Sequence, residues 1–418
     1  MKMRTQIYNN INLRYNIIHI LDDNMRDKKM IEIPRMEENI ELLNKITLVI
    51  PTNNRAYYLS RCIQYHCRYP FGEIIVADSS NSGVKKRNQY TVSIARKYAK
   101  TNIRYDEYAP ETERYGGDIY KKWYSAVQQV KTEYSIICTD KEFFIPNTLV
   151  QCVECLNENS NISICEGEYY YIESPRDGTY TTRNMYPSKR SLLQDDAASR
   201  LNAAKDGKNI SSNQMGLRRA DFHKQLYKKL ELEGIDDIRF GEFTLEFLTL
   251  IQSKTMYLNL PYCYRDICNL SANNTLKKNE SSSLRYPYLE TYQKEGIYDT
   301  YFEKFVNCLA PEISKNSKLT LPEAESFVRT ELPKIIKMRG FYGNTKFTQD
   351  PLWYIWRHSP AFMKSLGSHF IPKKYLDYAE ISTPEEKYIV SIIEQTKHLH
   401  STDTPIDDIE LFESKGLA

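Results

Sequence analysis

No stretch of this 418-residue chain approaches the roughly 18 consecutive apolar residues that span a bilayer. The opening segment, Met1 to Asn10, is polar and has no apolar core of the signal-peptide kind. A large charge of either sign is also missing, since 57 Lys and Arg stand against 54 Asp and Glu, a formal net charge of +3. That surplus is too small to build a phosphate-tracking field, which excludes a dedicated nucleic-acid binder. Neither G-x-G-x-x-G nor a Walker loop occurs, so the usual dinucleotide and P-loop cradles are absent. Tryptophan is scarce at 3, and phenylalanine stands at 15. Tyrosine, at 33, supplies most of the aromatic surface. Its rings carry hydroxyls, which suit polar-ligand pockets and wet interfaces as well as cores.

Dense cysteine spacing is lacking too. Nine cysteines, spread from Cys62 to Cys308, fit reduced thiols in a cytoplasmic protein better than a secreted disulfide scaffold. Two short clusters, Cys62-x-x-x-His66-Cys67 and Cys152-Val-Glu-Cys155, invite a zinc reading. Zinc needs four converging ligands, whereas Cys152 and Cys155 share one face of an expected helix and pack there as small hydrophobes.

The apolar content, 41%, is enough for a sizeable core and excludes a fully disordered chain. Residues 1–44 are mixed and charged and read as an N-terminal extension. Four short apolar runs follow: Ile46–Ile50, Glu73–Ala77, the weaker Asn102–Tyr105, and Tyr134–Cys138. Their length and β-branched content mark buried strands. Helical patterns lie between them, over Tyr57–Cys67, Val92–Tyr98 and Ile119–Val130. Strand and helix alternating without tight hairpins predict crossover connections and a mostly parallel central sheet flanked by helices, an α/β fold. Further helices are expected after Pro146 and over Asp195–Lys205, Asp221–Glu233 and Glu242–Ser253, with strands at Ile162–Cys165, Tyr169–Tyr171 and Met256–Tyr264. Ser174–Gly178 reads as a turn, and Ser271–Ser283 as a linker. The main domain is thus 45–270, followed by a mainly helical region over 285–418.

Ligands of such sheets sit at the carboxyl ends of the strands, which directs attention to the residues just after each run. Pro51-Thr52-Asn53-Asn54-Arg55 offers backbone and side-chain donors, with Arg55 suited to phosphate; the same residues could simply cap the next helix. Asp78-Ser79-Ser80 could receive a ribose or base edge, or form an Asx turn. Thr139-Asp140-Lys141-Glu142 places two carboxylates one residue apart at a strand end, an arrangement that can bind a hard divalent cation such as Mg2+ or Mn2+. The bland alternative is a solvated turn. Gly116-Gly117 and Lys121-Lys122 open the helix before the fourth strand, where a diphosphate could approach its N-terminus.

Taken together, Ile46–Arg55, Leu59, Glu73–Ser80 and Tyr134–Pro146 resemble the start of a GT-A-fold glycosyltransferase, closest to the family-2-like bacterial group that decorates surface polysaccharides. The likeness covers about residues 46–265, including Met215–Arg219 and Gly241-Glu242. It implies that Thr52, Arg55 and Asp78, with Pro51, Asn53, Ser79 and Thr139 around them, bind the nucleotide. Lys122 would lie near the diphosphate, and Asp140 would hold the metal, with Glu142 replacing the family's final aspartate. Asn213 and Gln214 would contact substrate. Two departures stand out. Lys141 interrupts what is usually a run of aspartates, either pointing away or replacing part of the metal's charge. The family's Glu-Asp pair at the acceptor-side helix reads Glu242-Phe243, which leaves Glu242 as the expected general base, with Glu246, Asp236 and Asp237 as other carboxylates nearby.

The resemblance implies a nucleotide-activated donor, a glycan or lipid-linked glycan acceptor, metal assistance and inversion, in capsule or lipopolysaccharide assembly at the cytoplasmic side of the membrane. Transfer of another nucleotide-activated group, such as a phosphate-containing modification, or a non-catalytic binding module stands as the alternative. His223 reads as structural. Leu352-Trp-Tyr-Ile-Trp356 reads as a buried helix or a peripheral membrane contact. The oligomeric state is open.

Overall fold

A computed structural model describes residues 39–173, 180–187, 189–205, 213–267, 289–338 and 379–395. Most of the N-terminal extension, the 174–178 turn, the 271–283 linker and Leu352–Trp356 lie outside these residues. In chain order the strands and helices are β1 (Ile46–Thr52), α1 (Ala56–His66), β2 (Glu73–Asp78), α2 (Ser82–Tyr98), β3 (Asn102–Glu107), α3 (Gly117–Gln128), β4 (Tyr134–Ile137), β5 (Glu142–Phe144), α4 (Pro146–Glu158), β6 (Ile162–Glu173) and β7 (Thr181–Asn184). They continue as α5 (Ala197–Ala203), β8 (Leu217–Arg219), α6 (Ala220–Leu232), α7 (Ile238–Gln252), β9 (Lys254–Asp266), α8 (Leu289–Lys294), α9 (Tyr298–Lys315), α10 (Leu321–Thr330), α11 (Leu332–Met338), β10 (Ala379–Glu380) and α12 (Pro384–Gln395). Among the described residues no helix is long and apolar enough to cross a membrane.

The fold is α/β, a central sheet flanked by helices with a helical C-terminal region, as the sequence predicts; the sheet is mixed, with parallel pairing among the strands that the alternating pattern marks. The main path of the sheet runs β10-β7-β6-β8-β4-β1-β2-β3, with β9 pairing β6 and β5 pairing β9. Its β4-β1-β2-β3 half is parallel, with Thr52 opposite Asp78. Beyond β4 the pairing turns antiparallel through β8 and its neighbour β6. β1 is buried along its whole length, because helices cover both faces of a parallel sheet, and a continuous apolar run is what such a strand requires. Alternation then sorts its side chains. Val49 faces a core shared with α3, α6, α7 and α9, while Leu48 and Ile50 face one shared with α1, α4 and α12.

Two helices begin earlier than the apolar periodicity implies. α2 starts at Ser82, where Asn81 Oδ1 accepts from the Val84 amide at 3.0 Å. Its first turns are largely exposed and polar, so periodicity registers only from Val92 onward. α7 starts at Ile238, where Asp237 caps it by accepting from the amides of Arg239 (3.0 Å) and Phe240 (2.8 Å). Gly241 and Glu242 therefore sit inside the helix, and Glu242 is not an N-terminal charge.

Candidate active site

The carboxyl ends of β1, β2 and β4 converge on one another and on α3. Thr52, the last residue of β1, donates from Oγ1 to Asp140 Oδ2 at 2.9 Å. Arg55, just ahead of α1, places Nη1 3.3 Å from Asp140 Oδ1. Asp140 is 1% exposed and Arg55 39%, so a buried carboxylate pins the base of a guanidinium that reaches solvent. Pro51 is buried within β1. Asn54 adopts a left-handed φ of 55°, which turns the chain so that its amide meets Ser80 Oγ at 2.8 Å. The ends of β1 and β2 are thereby tied together.

Lys122 is buried beneath this turn. Its ammonium meets Thr52 O at 3.1 Å, Ser79 Oγ at 2.7 Å and Glu111 Oε1 at 2.5 Å. Glu111 also accepts from Ser79 Oγ at 2.7 Å and, on Oε2, from Asn53 Nδ2 at 2.6 Å. The structure thus gathers Thr52, Asn53, Arg55, Ser79, Lys122 and Asp140, and adds Glu111, which sequence reasoning missed. Its signal was position, because Glu111 follows β3 as the expected site residues follow β1, β2 and β4.

Three residues stand differently from expectation. Asp78 is fully buried and its carboxylate is filled, accepting from the Ser80 amide (2.7 Å), Asn88 Nδ2 (2.6 Å) and the Tyr105 hydroxyl (2.5 Å). It orders the end of β2 as an Asx turn, with both oxygens engaged inside the protein. Glu142 does not stand beside Asp140 as a second open carboxylate. It begins β5, is fully buried, and accepts from the Tyr169 hydroxyl, the Thr139 amide (2.6 Å) and Arg265 Nη1 (3.3 Å). Burial pushes its pKa up, against the pull of Arg265. A strand three residues long carries too little pattern to be read in advance, so residue 142 passed for a turn. Lys141 lies with its ammonium 4.3 Å from the centre of the Tyr58 ring. Burial, together with Arg55, brings it down to about 8.

On α7, Glu242 is partly buried and its Oε2 lies 3.2 Å from Arg239 Nη1. Gln214 Nε2 donates to the Glu242 carbonyl at 3.4 Å, within a short turn over Asn213–Met215. Gly241 lets Tyr120 of α3 lie against α7, since a Cβ there would come 2.5 Å from the ring. The helix that carries Glu242 is therefore seated on the helix that carries Lys122. Glu246 is fully buried. His223 is buried against Ser135 Oγ at 2.8 Å, and burial holds it well below its ordinary pKa, in keeping with a structural residue.

Two questions of metal fit follow. Among the described residues Cys62, His66 and Cys138 converge, without Cys67. The Phe144 amide donates to His66 Nε2 at 3.2 Å, so Nδ1 carries the proton, and it meets the Cys62 carbonyl at 2.9 Å. Neither nitrogen retains a lone pair for a metal, and the thiols stand as a buried reduced pair 3.6 Å apart. At the strand ends Asp140 offers one carboxylate, and the neighbouring Thr139 Oγ1 is buried with no hydrogen-bond partner. A hard divalent cation bound through one or two carboxylates takes its remaining oxygens from substrate phosphates and water. Asp140 fits that donor set as its one carboxylate; Glu142, enclosed by Tyr169, the Thr139 amide and Arg265, does not.

Fold and site together define an α/β protein with a mixed-charge centre at the carboxyl ends of its parallel strands, where this class binds its ligands. No protein-family profile and no curated protein matches the chain. Among solved structures it is similar to S. aureus TarS 1-349 in complex with UDP-GlcNAc, at 14% identity over 84% of this chain and 89% of that one, TM-score 0.45. It is also similar to S. aureus TarS, at 14% identity over 84% of this chain and 54% of that one, TM-score 0.40. A third is the mannosyltransferase PcManGT from Pyrobaculum calidifontis in complex with GDP-Man and Mn2+, at 13% identity over 84% and 86%, TM-score 0.34.

Proposed function

We propose that the chain is a glycosyltransferase that moves a hexosyl group from a nucleoside-diphosphate donor to a hydroxyl of a glycan or lipid-linked glycan, with inversion at the anomeric carbon. The observation that carries this reading is the meeting of Arg55 and Lys122 with Asp140, Thr52 and Ser79 at the ends of β1, β2 and β4. Two cations with hydroxyls between them suit a diphosphate leaving group, and the solvent-reaching guanidinium can take phosphate oxygens in its fork. Asp140 would hold Mn2+ or Mg2+. A divalent cation there would neutralise charge on the departing diphosphate.

Asp78, through the Ser80 amide, fixes the turn that presents Ser79. The acceptor oxygen forms its bond to the anomeric carbon as the bond to the diphosphate breaks, and the acceptor proton passes to Glu242. Arg239 orients that carboxylate, and Gln214 braces its backbone. The assignment to bacterial surface polysaccharide assembly at the cytoplasmic side of the membrane rests on the sequence resemblance.

A thermal-shift panel of UDP, GDP, CDP and their sugars, with and without Mn2+, tests the reading. Ligands that bind the native state raise its melting temperature. One nucleotide series should shift the transition, and more strongly with Mn2+. A folded sample that responds to none of them refutes the proposal.

A further inference from the structure

Building on the nucleotide-sugar reading, we propose that Glu111 occupies the place of the donor's diphosphate and is exchanged for it when donor binds. An ammonium has three hydrogen-bond donors, and Lys122 finds three acceptors in Thr52 O, Ser79 Oγ and Glu111 Oε1. Of the three, only the Glu111 oxygen belongs to a group that can leave, because Thr52 and Ser79 lie at the ends of sheet strands. Lys122 Nζ, Ser79 Oγ and Asn53 Nδ2 all converge on Glu111. One cation, one hydroxyl and one amide are also what a phosphate oxygen pair would use. Leaving Lys122 buried and unmatched would be costly, so the resident carboxylate keeps the site neutral until another anion arrives.

The segment bearing Glu111 is built to yield. Its neighbours Thr112 and Glu113 are exposed. They are held by the Asp118 carboxylate, which accepts the Thr112 and Glu113 amides, and by an exposed Glu113–Lys121 pair at 2.8 Å. Such exposed contacts are individually weak. The segment ends at two consecutive left-handed residues, Tyr115 (φ 68°) and Gly116 (φ 72°), immediately before α3. Tyr108 is anchored by its amide to Asp78 O (2.8 Å) and by its carbonyl to Lys85 Nζ (2.6 Å), so residues 109–113 can move between that anchor and the left-handed pair without moving the helix that carries Lys122.

The test uses the full chain, with UDP, GDP and CDP as probes in isothermal titration. A ligand that must displace a resident group loses apparent affinity in proportion to the closed fraction, so for whichever nucleotide binds, Glu111→Gln should tighten the Kd about ten-fold. Glu113→Gln removes the same charge two residues away and should leave the Kd within about two-fold, as expected of a screened surface charge. Amide hydrogen exchange over 109–113 in the unaltered chain should rise on saturation with that nucleotide, a readout that needs no variant to fold. Unchanged or weakened binding by Glu111→Gln, an equal gain in Glu113→Gln, or exchange that stays level or falls would each overturn the exchange mechanism alone. If none of the three nucleotides binds the chain or the variant, the nucleotide-sugar reading falls with it.

Discussion

Tyrosine hydroxyls serve buried acids throughout this molecule. Tyr105 donates to Asp78, Tyr169 to Glu142, Tyr292 to Asp237 and Tyr264 to Glu386. A buried carboxylate needs such donors, and the tyrosine surplus supplies them from inside the core. The Lys122–Glu111 pair, with both side chains about 5% exposed or less, is subject to the same rule. Lys122→Met should cost about 3–5 kcal/mol, because it leaves Glu111 buried without its cation. Adding Glu111→Gln should restore much of that loss, a non-additivity read from urea midpoints of the two single variants and the double variant. Asp237 yields a pH prediction. Burial pushes its carboxyl up to about 7, and the Phe240 amide, the Tyr292 hydroxyl and the Arg239 amide offset only part of this. The unfolded group titrates near 4, so between about pH 4 and 7 the native state holds a proton that the unfolded state has lost. Stability contributed at Asp237 therefore falls as pH rises through that window. Asp237→Asn keeps the cap and should stabilise the chain at pH 8, by about 4 kcal/mol at most for a three-unit shift. The gain should vanish toward pH 4 in urea titrations. At this scale the residues after β1 and β4 were legible, because a strand end followed by polar side chains is a sequence-local sign. Glu111 and the saturation of Asp78 and Glu142 were not, since each depends on partners up to 123 residues away.

Between elements, the contact that fixes the helix carrying Lys122 relative to the helix carrying Glu242 is the approach of α3 to the start of α7. A Cβ on Gly117 would lie 2.3 Å from the Asp236 carbonyl and 2.6 Å from Glu113 Oε2. A backbone carbonyl cannot yield as a side chain can, so Gly117→Ala should destabilise by about 1–3 kcal/mol, the usual range for overpacking. Gly83, in the first turn of α2, is the internal control. Its nearest neighbour to a new Cβ is Asn81 Oδ1 at 3.7 Å, and Gly83→Ala should stabilise by roughly 0.4–1 kcal/mol by restricting the unfolded chain. Urea midpoints of the two variants should move in opposite directions. The parallel strands were readable from short β-branched runs because full burial forces that composition. β5 was hidden by its length, and the start of α7 by Gly241, which reads as a break but is the glycine that lets Tyr120 pack.

Across the whole molecule, the described C-terminal helices divide between the two faces of the sheet. α9, α10 and α11 extend the core around α7, where Phe240 packs among Tyr292, Tyr298, Tyr301 and Phe305. α12 returns to the opposite face and packs on α1, with the Tyr388 and Tyr65 rings 5.9 Å apart. Beneath that contact the Arg61–Asp266 pair is buried, and Arg61 also reaches the Ile393 carbonyl at 3.4 Å. Glu386, at the start of α12, accepts from the Ser382 and Thr383 amides (both 2.9 Å) and from Tyr264 (3.2 Å) of β9. This helix is thus part of the same core as β1 and α1, although about 330 residues of sequence separate α1 from its Ile393 contact. Tyr388, Ile389, Ile392 and Ile393 are each at most 4% exposed. At about 1.5–3 kcal/mol for each buried side chain, α12 contributes roughly 6–12 kcal/mol of apolar burial, comparable to the whole stability of an ordinary domain. A chain ended after residue 378 should therefore be insoluble or lose its cooperative unfolding transition. Ile389→Ala in the full chain should remain folded but lower its urea stability by about 2–5 kcal/mol, as cavity-forming substitutions do. If the shortened chain stayed soluble with an unshifted midpoint, the β1–α1 core would not depend on α12, and the packing of that helix would contribute nothing to it.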